Sequence, residues 1–269
     1  MREDRKRITA PALSRMKEQG RKIVMVTAYD YPSAQMADRA EVDVTLVGDS
    51  VGMTELGYSD VLPVTLEDIL HHTRAVRRGL KWALLIADLP FGSYQISLEE
   101  AARSAVRLLK EGGAQAVKLE GGAHAAPLVR KLTESGIPVM AHIGLTPQSV
   151  NLFGGYFPQG LSSASADTLR KDALLLQEAG AFGIVLETIP AELAEQITNS
   201  LIIPTIGIGS GPHCDGQVQV WHDLLGITTG RPYRHVKRYA NLAVNIESAL
   251  REYADEVRSN RFPTKDHSI

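Results

Sequence analysis

The sequence predicts an α/β chain folded as a closed (β/α)8 barrel, and three observations carry that prediction. Eight short apolar, β-branched runs recur along the chain. Stretches of helical periodicity separate them, and several of these stretches end in glycine. The length, 269 residues, is close to the ~250 typical of such barrels.

The runs are 23–28, 44–48, 83–87, 116–119, 138–142, 183–187, 204–208 and 218–221. Each is continuously apolar rather than alternating, as strands covered on both faces are. Helices are read between them. The stretch 33–39 is short. Thr65-Leu-Glu-Asp68 opens the next helix as a capping box, and Arg77-Arg78-Gly79 closes it with cations ahead of a C′ glycine. Ser97-Leu-Glu-Glu100 opens another, ending near Gly112. Helices over 123–134, 165–178 and 191–199 follow, the last entered through Pro190, where a missing N–H costs nothing. Helix, glycine, apolar run is the rhythm of repeated β-α units, which require a parallel sheet. An open doubly wound sheet is the alternative. One unit fits poorly, because only 210–217 separates the last two runs and a parallel crossover usually takes about a dozen residues. Either that helix is vestigial or the eighth strand lies elsewhere. Outside the repeat, 9–19 reads as an extra N-terminal helix able to plug the barrel bottom, and 234–258 as a long C-terminal helical extension. No linker or low-complexity tract interrupts the chain, so 1–269 reads as a single catalytic domain.

Composition narrows the function. Hydrophobic residues make up 44% and charged residues 22%, and the net charge of -2 offers no basic surface for nucleic acid or an anionic membrane. The one cysteine, Cys214, excludes an internal disulfide framework and a cysteine-based zinc cluster, and is read as inert. No apolar run approaches the ~20 residues that span a bilayer, and residues 1–7 lead into no secretion-type apolar segment, so the expected location is cytoplasmic.

Active sites of (β/α)8 barrels lie at the C-terminal ends of the strands. There the runs end in Asp30, in Asp49-Ser50, in Asp88, in Lys118 and Glu120, in His142 and in Glu187, and the eighth leads to His222 and Asp223. Two or three carboxylates, completed by water and substrate oxygens, are how proteins hold Mg2+. An aspartate after a strand also often caps the next helix, which is an even alternative for Asp49 or Asp88 taken singly. Lys118 stands two residues before Glu120, points the same way, and suits a substrate carboxylate or enolate. His142 reads as a hydrogen-bonded core residue. Gly207-Ile-Gly-Ser-Gly211 is either a phosphate cradle or a tight βα turn.

Together the motifs are specific. Val26-Thr-Ala-Tyr-Asp-Tyr31, Leu46-Val-Gly-Asp-Ser50, Leu62-Pro-Val-Thr65, Ala87-Asp-Leu-Pro90, Val117-Lys-Leu-Glu-Gly-Gly122, His142-Ile-Gly-Leu-Thr-Pro-Gln-Ser149, Phe153-Gly-Gly-Tyr156, Leu186-Glu187, Ile206-Gly-Ile-Gly-Ser-Gly211 and Asp215-Gly-Gln217 occur in that order. The chain resembles the ketopantoate (3-methyl-2-oxobutanoate) hydroxymethyltransferase family over 23–226. The resemblance implies a TIM barrel of the phosphoenolpyruvate/pyruvate-binding type, a homodecamer, and transfer of a one-carbon unit from 5,10-methylenetetrahydrofolate to 3-methyl-2-oxobutanoate. The product is 2-dehydropantoate, on the route to pantothenate and coenzyme A. It also implies Mg2+ ligands at Asp49, Asp88 and Glu120, substrate contacts at Asp49, Ser50, Asp88 and Lys118, and a general base at Glu187. Departures are small: Ser210 stands where the family often has alanine, Tyr58 where some members have histidine, and 161–168 matches little.

The implied chemistry is enolate formation. Mg2+ polarises the oxo acid, and Glu187, its pKa raised by burial, takes the C3 proton. Lys118 and the N–H groups near Ser50 hold the developing charge. The segment 144–160, with four glycines and Phe153, Tyr156 and Phe157, is expected to be a lid or a folate seat, or else a packed oligomer contact. The competing functions are an isocitrate-lyase-like carbon–carbon lyase, which would need Cys214 as its reactive thiol, and a non-catalytic small-acid binding barrel.

Overall fold

The computed structural model describes residues 6–228 and 233–269; most of the charged N-terminal stretch lies outside the described residues. The chain divides into two compact units, Met1–Val220 and Trp221–Ile269. In the first, β1 (Ile23–Thr27), β2 (Val44–Val47), β3 (Leu84–Asp88), β4 (Ala116–Glu120), β5 (Val139–Gly144), β6 (Gly183–Glu187), β7 (Thr205–Ile208) and β8 (Gly216–Gln219) form one closed parallel barrel in chain order. The barrel closes where Ile23 of β1 pairs with Gly216 of β8, which excludes the open-sheet alternative.

The runs are continuously apolar because their two faces serve two cores. Leu84, Ile86, Ala116, Met140 and Val185 cluster inside the barrel, while Leu85, Ala87, Val117, Ala141 and Leu186 pack on the helices. Fully burying one such side chain is worth about 1.5–3 kcal/mol. Strand side chains alternate with period two. Continuing the inward parity therefore carries Asp88 above Ile86, Lys118 and Glu120 above Ala116, His142 above Met140, and Glu187 above Val185. Apolar layers fill the barrel; charged residues form its C-terminal mouth.

The helices of this unit are α1 (Ala10–Glu18), α2 (Tyr31–Arg39), α3 (Val51–Thr54), α4 (Leu66–Gly79), α5 (Leu98–Lys110), α6 (Ala126–Glu134), α7 (Val150–Phe153), α8 (Ser163–Glu178) and α9 (Ala191–Ser200). α1 plugs the bottom, with Leu13 and Met16 joining the inner cluster. Its Lys17 Nζ donates to Asp215 Oδ2 at 2.9 Å and to the carbonyls of Thr198 and Ile203 at 2.9 and 3.1 Å. The capping box at Thr65 and Asp68 forms as read. Gly79 is instead the last residue of α4 rather than a C′ residue, and a Cβ there would lie 2.7 Å from that of Ala34 and 2.8 Å from the Tyr31 carbonyl. It is glycine so that α2 and α4 can pack closely.

Strand eight begins two residues earlier than read and ends before Trp221, and no helix separates it from β7. Backbone pairing to β1 sets its register, while the outward Gln217 is exposed, so no apolar run marks the strand. The second unit contains α10 (Trp221–Leu225), which carries His222 and Asp223, and α11 (Leu242–Arg258). The long C-terminal helix therefore starts at Leu242, not at 234. Tyr239 N–H and Ala243 N–H donate to the carbonyls of Leu224 and Gly226, and these contacts draw the preceding stretch out of helical register. Among the described residues, no helix is long and apolar enough to cross a membrane.

Candidate active site

The aspartate after β1 and those after β2 and β3 do different work. Asp30 is a helix cap, its carboxylate accepting Ser33 N–H at 2.7 Å at the start of α2. Neither Asp49 nor Asp88 caps a helix. Asp88 Oδ2 accepts Asp49 N–H at 3.0 Å, and Asp49 Oδ2 accepts Gln148 Nε2–H at 2.8 Å. The capping alternative is thereby excluded for both.

Around this pair the inward-pointing residues form a chain of contacts across the mouth. Lys118 Nζ lies 3.1 Å from Asp88 Oδ1, and 3.4 Å from His142 Nδ1. His142 Nδ1 lies 3.4 Å from Glu120 Oε1, and its Nε2 lies 3.2 Å from Glu187 Oε2. Both imidazole contacts are ion contacts rather than aligned hydrogen bonds, since Nε2 and Glu120 Oε1 lack partners of good geometry. Glu120 Oε2 is better held, accepting Gln148 N–H at 3.0 Å. Ser50 Oγ is 2.8 Å from the Tyr29 hydroxyl, so the substrate contact expected of Ser50 stands beside a buried tyrosine. Asp49, Asp88, Lys118, Glu120 and His142 are all at most 5% exposed, whereas the Glu187 side chain is 16% exposed.

Burial, with the charges of Asp88 and Glu120 added to it, pushes the Asp49 carboxyl up to about 8. Burial also raises Asp88, against the pull of Lys118. Burial works against charge on Lys118 too, but the three carboxylates around it outweigh that and lift its pKa above the ordinary lysine range. For Glu120 burial is overcome by His142, Lys118 and the Gln148 N–H, leaving it below the usual carboxylate range. Burial and Lys118 disfavour the imidazolium, yet Glu120 and Glu187 push His142 up to about 9. At neutral pH the mouth thus holds an ammonium, an imidazolium, the Glu120 carboxylate and a proton on Asp49.

The donor set fits a hard divalent cation. Asp88 Oδ1 and Glu120 Oε1 are buried carboxylate oxygens that accept no aligned hydrogen bond and meet only the Lys118 ammonium at 3.1 Å and the His142 imidazole at 3.4 Å, and Asp49 keeps a proton that a cation would displace. Among the described residues, no three histidine, cysteine, aspartate or glutamate side chains are already closed around one point as a cage.

Several contributors escaped the sequence reading. His142, read as a core residue, is the bridge between Glu120 and Glu187. Gln148 ties the 144–160 segment to both Asp49 and Glu120, and its Oε1 accepts the Tyr94 hydroxyl at 2.7 Å. The signal for Gln148 was its place inside the His142–Ser149 motif; Tyr94 had none. In the glycine-rich loop after β7 the Ser210 hydroxyl donates to Leu186 O at 2.7 Å, which ties the loop to the end of β6. Cys214 is buried beside the start of β8, at the opposite end of the barrel, and burial pushes its thiol up. It supplies no reactive thiol at the mouth, which removes the basis for the lyase reading.

Beside Glu120 opens a cavity of about 710 Å3, lined by Phe91, Tyr94, Leu128, Gln148, Leu152 and Phe153 among others. The ketopantoate hydroxymethyltransferase family model matches residues 7–265. The chain belongs to that family. The 3-methyl-2-oxobutanoate hydroxymethyltransferase of Moorella thermoacetica is 55% identical over 265 residues, covering 98% of each chain. Membership makes the chain an enzyme of the transferase class. Two solved structures share the fold. One is phosphonopyruvate hydrolase in complex with oxalate and Mg2+, at a TM-score of 0.62 and 15% identity, covering 97% of this chain and 91% of the other. The second is 2,3-dimethylmalate lyase, of the PEP mutase/isocitrate lyase superfamily, at 0.59 and 19%, covering 97% and 90%. Both show the same (β/α)8-barrel fold as this chain.

Proposed function

We propose that this enzyme transfers a hydroxymethyl group from 5,10-methylenetetrahydrofolate to 3-methyl-2-oxobutanoate, giving 2-dehydropantoate for pantothenate and coenzyme A synthesis. The observation that carries the proposal is the row of charged groups on the inward face of the strand ends, with Glu187 the most accessible of them. Asp49, Asp88 and Glu120 are the proposed Mg2+ ligands, a choice supported by the orphaned oxygens above and by the Mg2+ in phosphonopyruvate hydrolase. Bound there, the cation supplies positive charge to offset the charge that builds on the keto oxygen.

Glu187 takes the C3 proton of the oxo acid. His142, 3.2 Å from its carboxylate, holds it at the rim of the site. Lys118 and the backbone N–H groups around Ser50 bind the substrate carboxylate and developing oxyanion, with Asp49 and Asp88 completing the substrate contacts. One water supplies the hydroxyl oxygen: it adds to the methylene carbon of the folate, whose two bonds to the folate nitrogens break with the water's protons going to those nitrogens, and C3 bonds to the released one-carbon unit as its carbon–oxygen π bond breaks and the oxygen takes a proton. The cavity beside Glu120 is the proposed folate seat. Its volume is far more than a five-carbon acid fills, and its aromatic and aliphatic walls suit a planar ring. The 144–160 segment fits the lid reading: Gln148 reaches Asp49 while Leu152, 84% exposed, stands at the cavity rim. The homodecamer and cytoplasmic location belong to the same proposal and rest on the family resemblance.

The test is 2-dehydropantoate formation from the two substrates, with and without Mg2+. Formation only with Mg2+ is expected. Metal-dependent binding of the oxo acid with neither product nor C3 proton exchange would make the barrel a binding protein.

A further inference from the structure

Glu187 ends β6 on a turn that its sequence does not favour. The next residue, Thr188, has a φ of 50°. A β-branched side chain is among the least suited to this left-handed region, because its Cβ crowds the following carbonyl. The Thr188 hydroxyl is also buried without a hydrogen-bond partner. Two local penalties fall on one residue, and its own side-chain hydroxyl makes no bond that offsets them.

The surroundings hold the turn in place. Leu145 N–H donates to Glu187 O at 2.8 Å, Thr188 N–H to Ile208 O at 2.8 Å, and Gln159 N–H to Thr188 O at 3.0 Å. Ser210, fully buried, donates to Leu186 O at 2.7 Å and accepts Ile189 N–H at 3.3 Å. One hydroxyl therefore spans the peptide groups on both sides of the Glu187–Thr188 pair. Gly144, at a φ of 94°, packs against the same turn, and a Cβ there would run into Glu187 O. Residues from β5, the 144–160 segment and the β7 loop thus converge on a few backbone atoms.

We propose that this strained turn is the device that aims the Glu187 carboxylate. Thr188 in the left-handed conformation, with Ser210 across it, acts as a positioning pair, and the inference rests on the reading of Glu187 as the base. Strained backbone persists only where its surroundings over-determine it. A base whose direction relaxes loses rate without losing substrate, since binding is made by other residues. A merely structural turn behaves otherwise: disturbing it lowers stability and leaves the rate per folded molecule alone.

The experiment follows C3 proton exchange of 3-methyl-2-oxobutanoate in deuterated Mg2+ buffer by NMR, without folate, alongside thermal melting. Thr188→Gly is expected to slow saturated exchange about tenfold, with half-saturation within about twofold. Its melting temperature is expected to stay within a few degrees, because glycine accepts positive φ freely. Thr188→Asn keeps a Cβ yet tolerates the left-handed region, and is expected to retain the rate to within about threefold. Ser210→Ala is expected to slow exchange about threefold with the same unchanged half-saturation. Exchange within about twofold of the parent in both Thr188→Gly and Ser210→Ala, with Glu187→Gln inert, would overturn the inference and leave the base assignment standing. A Thr188→Gly protein that melts far below the parent would also overturn it, as a structural turn. Normal exchange in Glu187→Gln would instead remove the base reading, and this inference with it.

Discussion

At the bottom of the barrel, Asp38 is 2% exposed and its carboxylate accepts the N–H groups of Lys81, Trp82 and Ala83 at 3.0, 3.1 and 2.9 Å. At the mouth, Asp88 is equally buried, yet one of its oxygens has no hydrogen-bond partner, and it shares its surroundings with two further carboxylates. Both ends bury acids. The bottom surrounds them with backbone donors and cations, as Lys17 does for Asp215. The mouth crowds three acids around one lysine and one histidine, and leaves Asp88 Oδ1 and Glu120 Oε1 without an aligned hydrogen bond. Buried charge is costly unless it is paired and hydrogen-bonded, so the mouth is stable only as far as the rest of the fold supports it. On the proposed function, the difference separates acids that build the barrel from acids that hold a ligand.

The largest effect that would break this comparison is at Glu187. Glu187→Gln is expected to slow C3 proton exchange by about 10²–10⁴-fold while the melting temperature stays close to that of the parent. A large loss of stability with little loss of rate would place Glu187 with the structural acids. The converse substitution is at the bottom. Asp38→Ala strands three N–H groups and is expected to cost roughly 3 kcal/mol of folding stability by denaturant titration, with the half-saturation for the oxo acid unchanged. A change in substrate half-saturation without loss of stability would erase the distinction between the ends.

The smallest expected effect is a pH trend, and it sharpens the comparison. The folded pKa of Asp49, about 8, lies above its unfolded value, so between pH 4 and 8 the native state binds more protons and stability falls as pH rises. His142, raised to about 9, contributes stability that is full below about pH 6.5 and is lost as pH rises through its folded value. Both trends weaken the metal-free protein at alkaline pH. A cation that displaces the Asp49 proton offsets the first trend. The rise in melting temperature on adding Mg2+ is therefore expected to grow from pH 6 to pH 8, and to shrink in Asp49→Asn, whose metal-free form melts higher than the parent at pH 8. A pH-independent rise would detach Asp49 from the metal.

Much of the mouth was legible beforehand. Asp49, Asp88 and Glu120 each follow an apolar run, Lys118 and Glu187 stand near the end of one, and a parallel barrel places all such residues at one end. His142 was visible too, but a lone histidine on a strand carries no sign of its partners until β4 and β6 flank it, with Glu120 opposite His142 in register. Gln148 reaches Asp49 across 99 residues of sequence, a contact that no local pattern encodes.

Periodicity, glycine punctuation and strand-end chemistry were sufficient, from the amino-acid order alone, for the repeat, the polarity of the barrel and its acidic mouth. They are local properties, set by which side chains tolerate burial and which backbones tolerate a turn. The true start of β8, the late start of α11, the packing role of Gly79 and the left-handed Thr188 depended on something else. In each case a partner distant in sequence overrode a local preference: Ile23 for Gly216, Leu224 and Gly226 for the approach to α11, Ala34 for Gly79, and Ser210 with Ile208 around Thr188. Hydrogen bonds and close packing formed only in the closed barrel outweigh propensities of a few tenths to about one kcal/mol per residue.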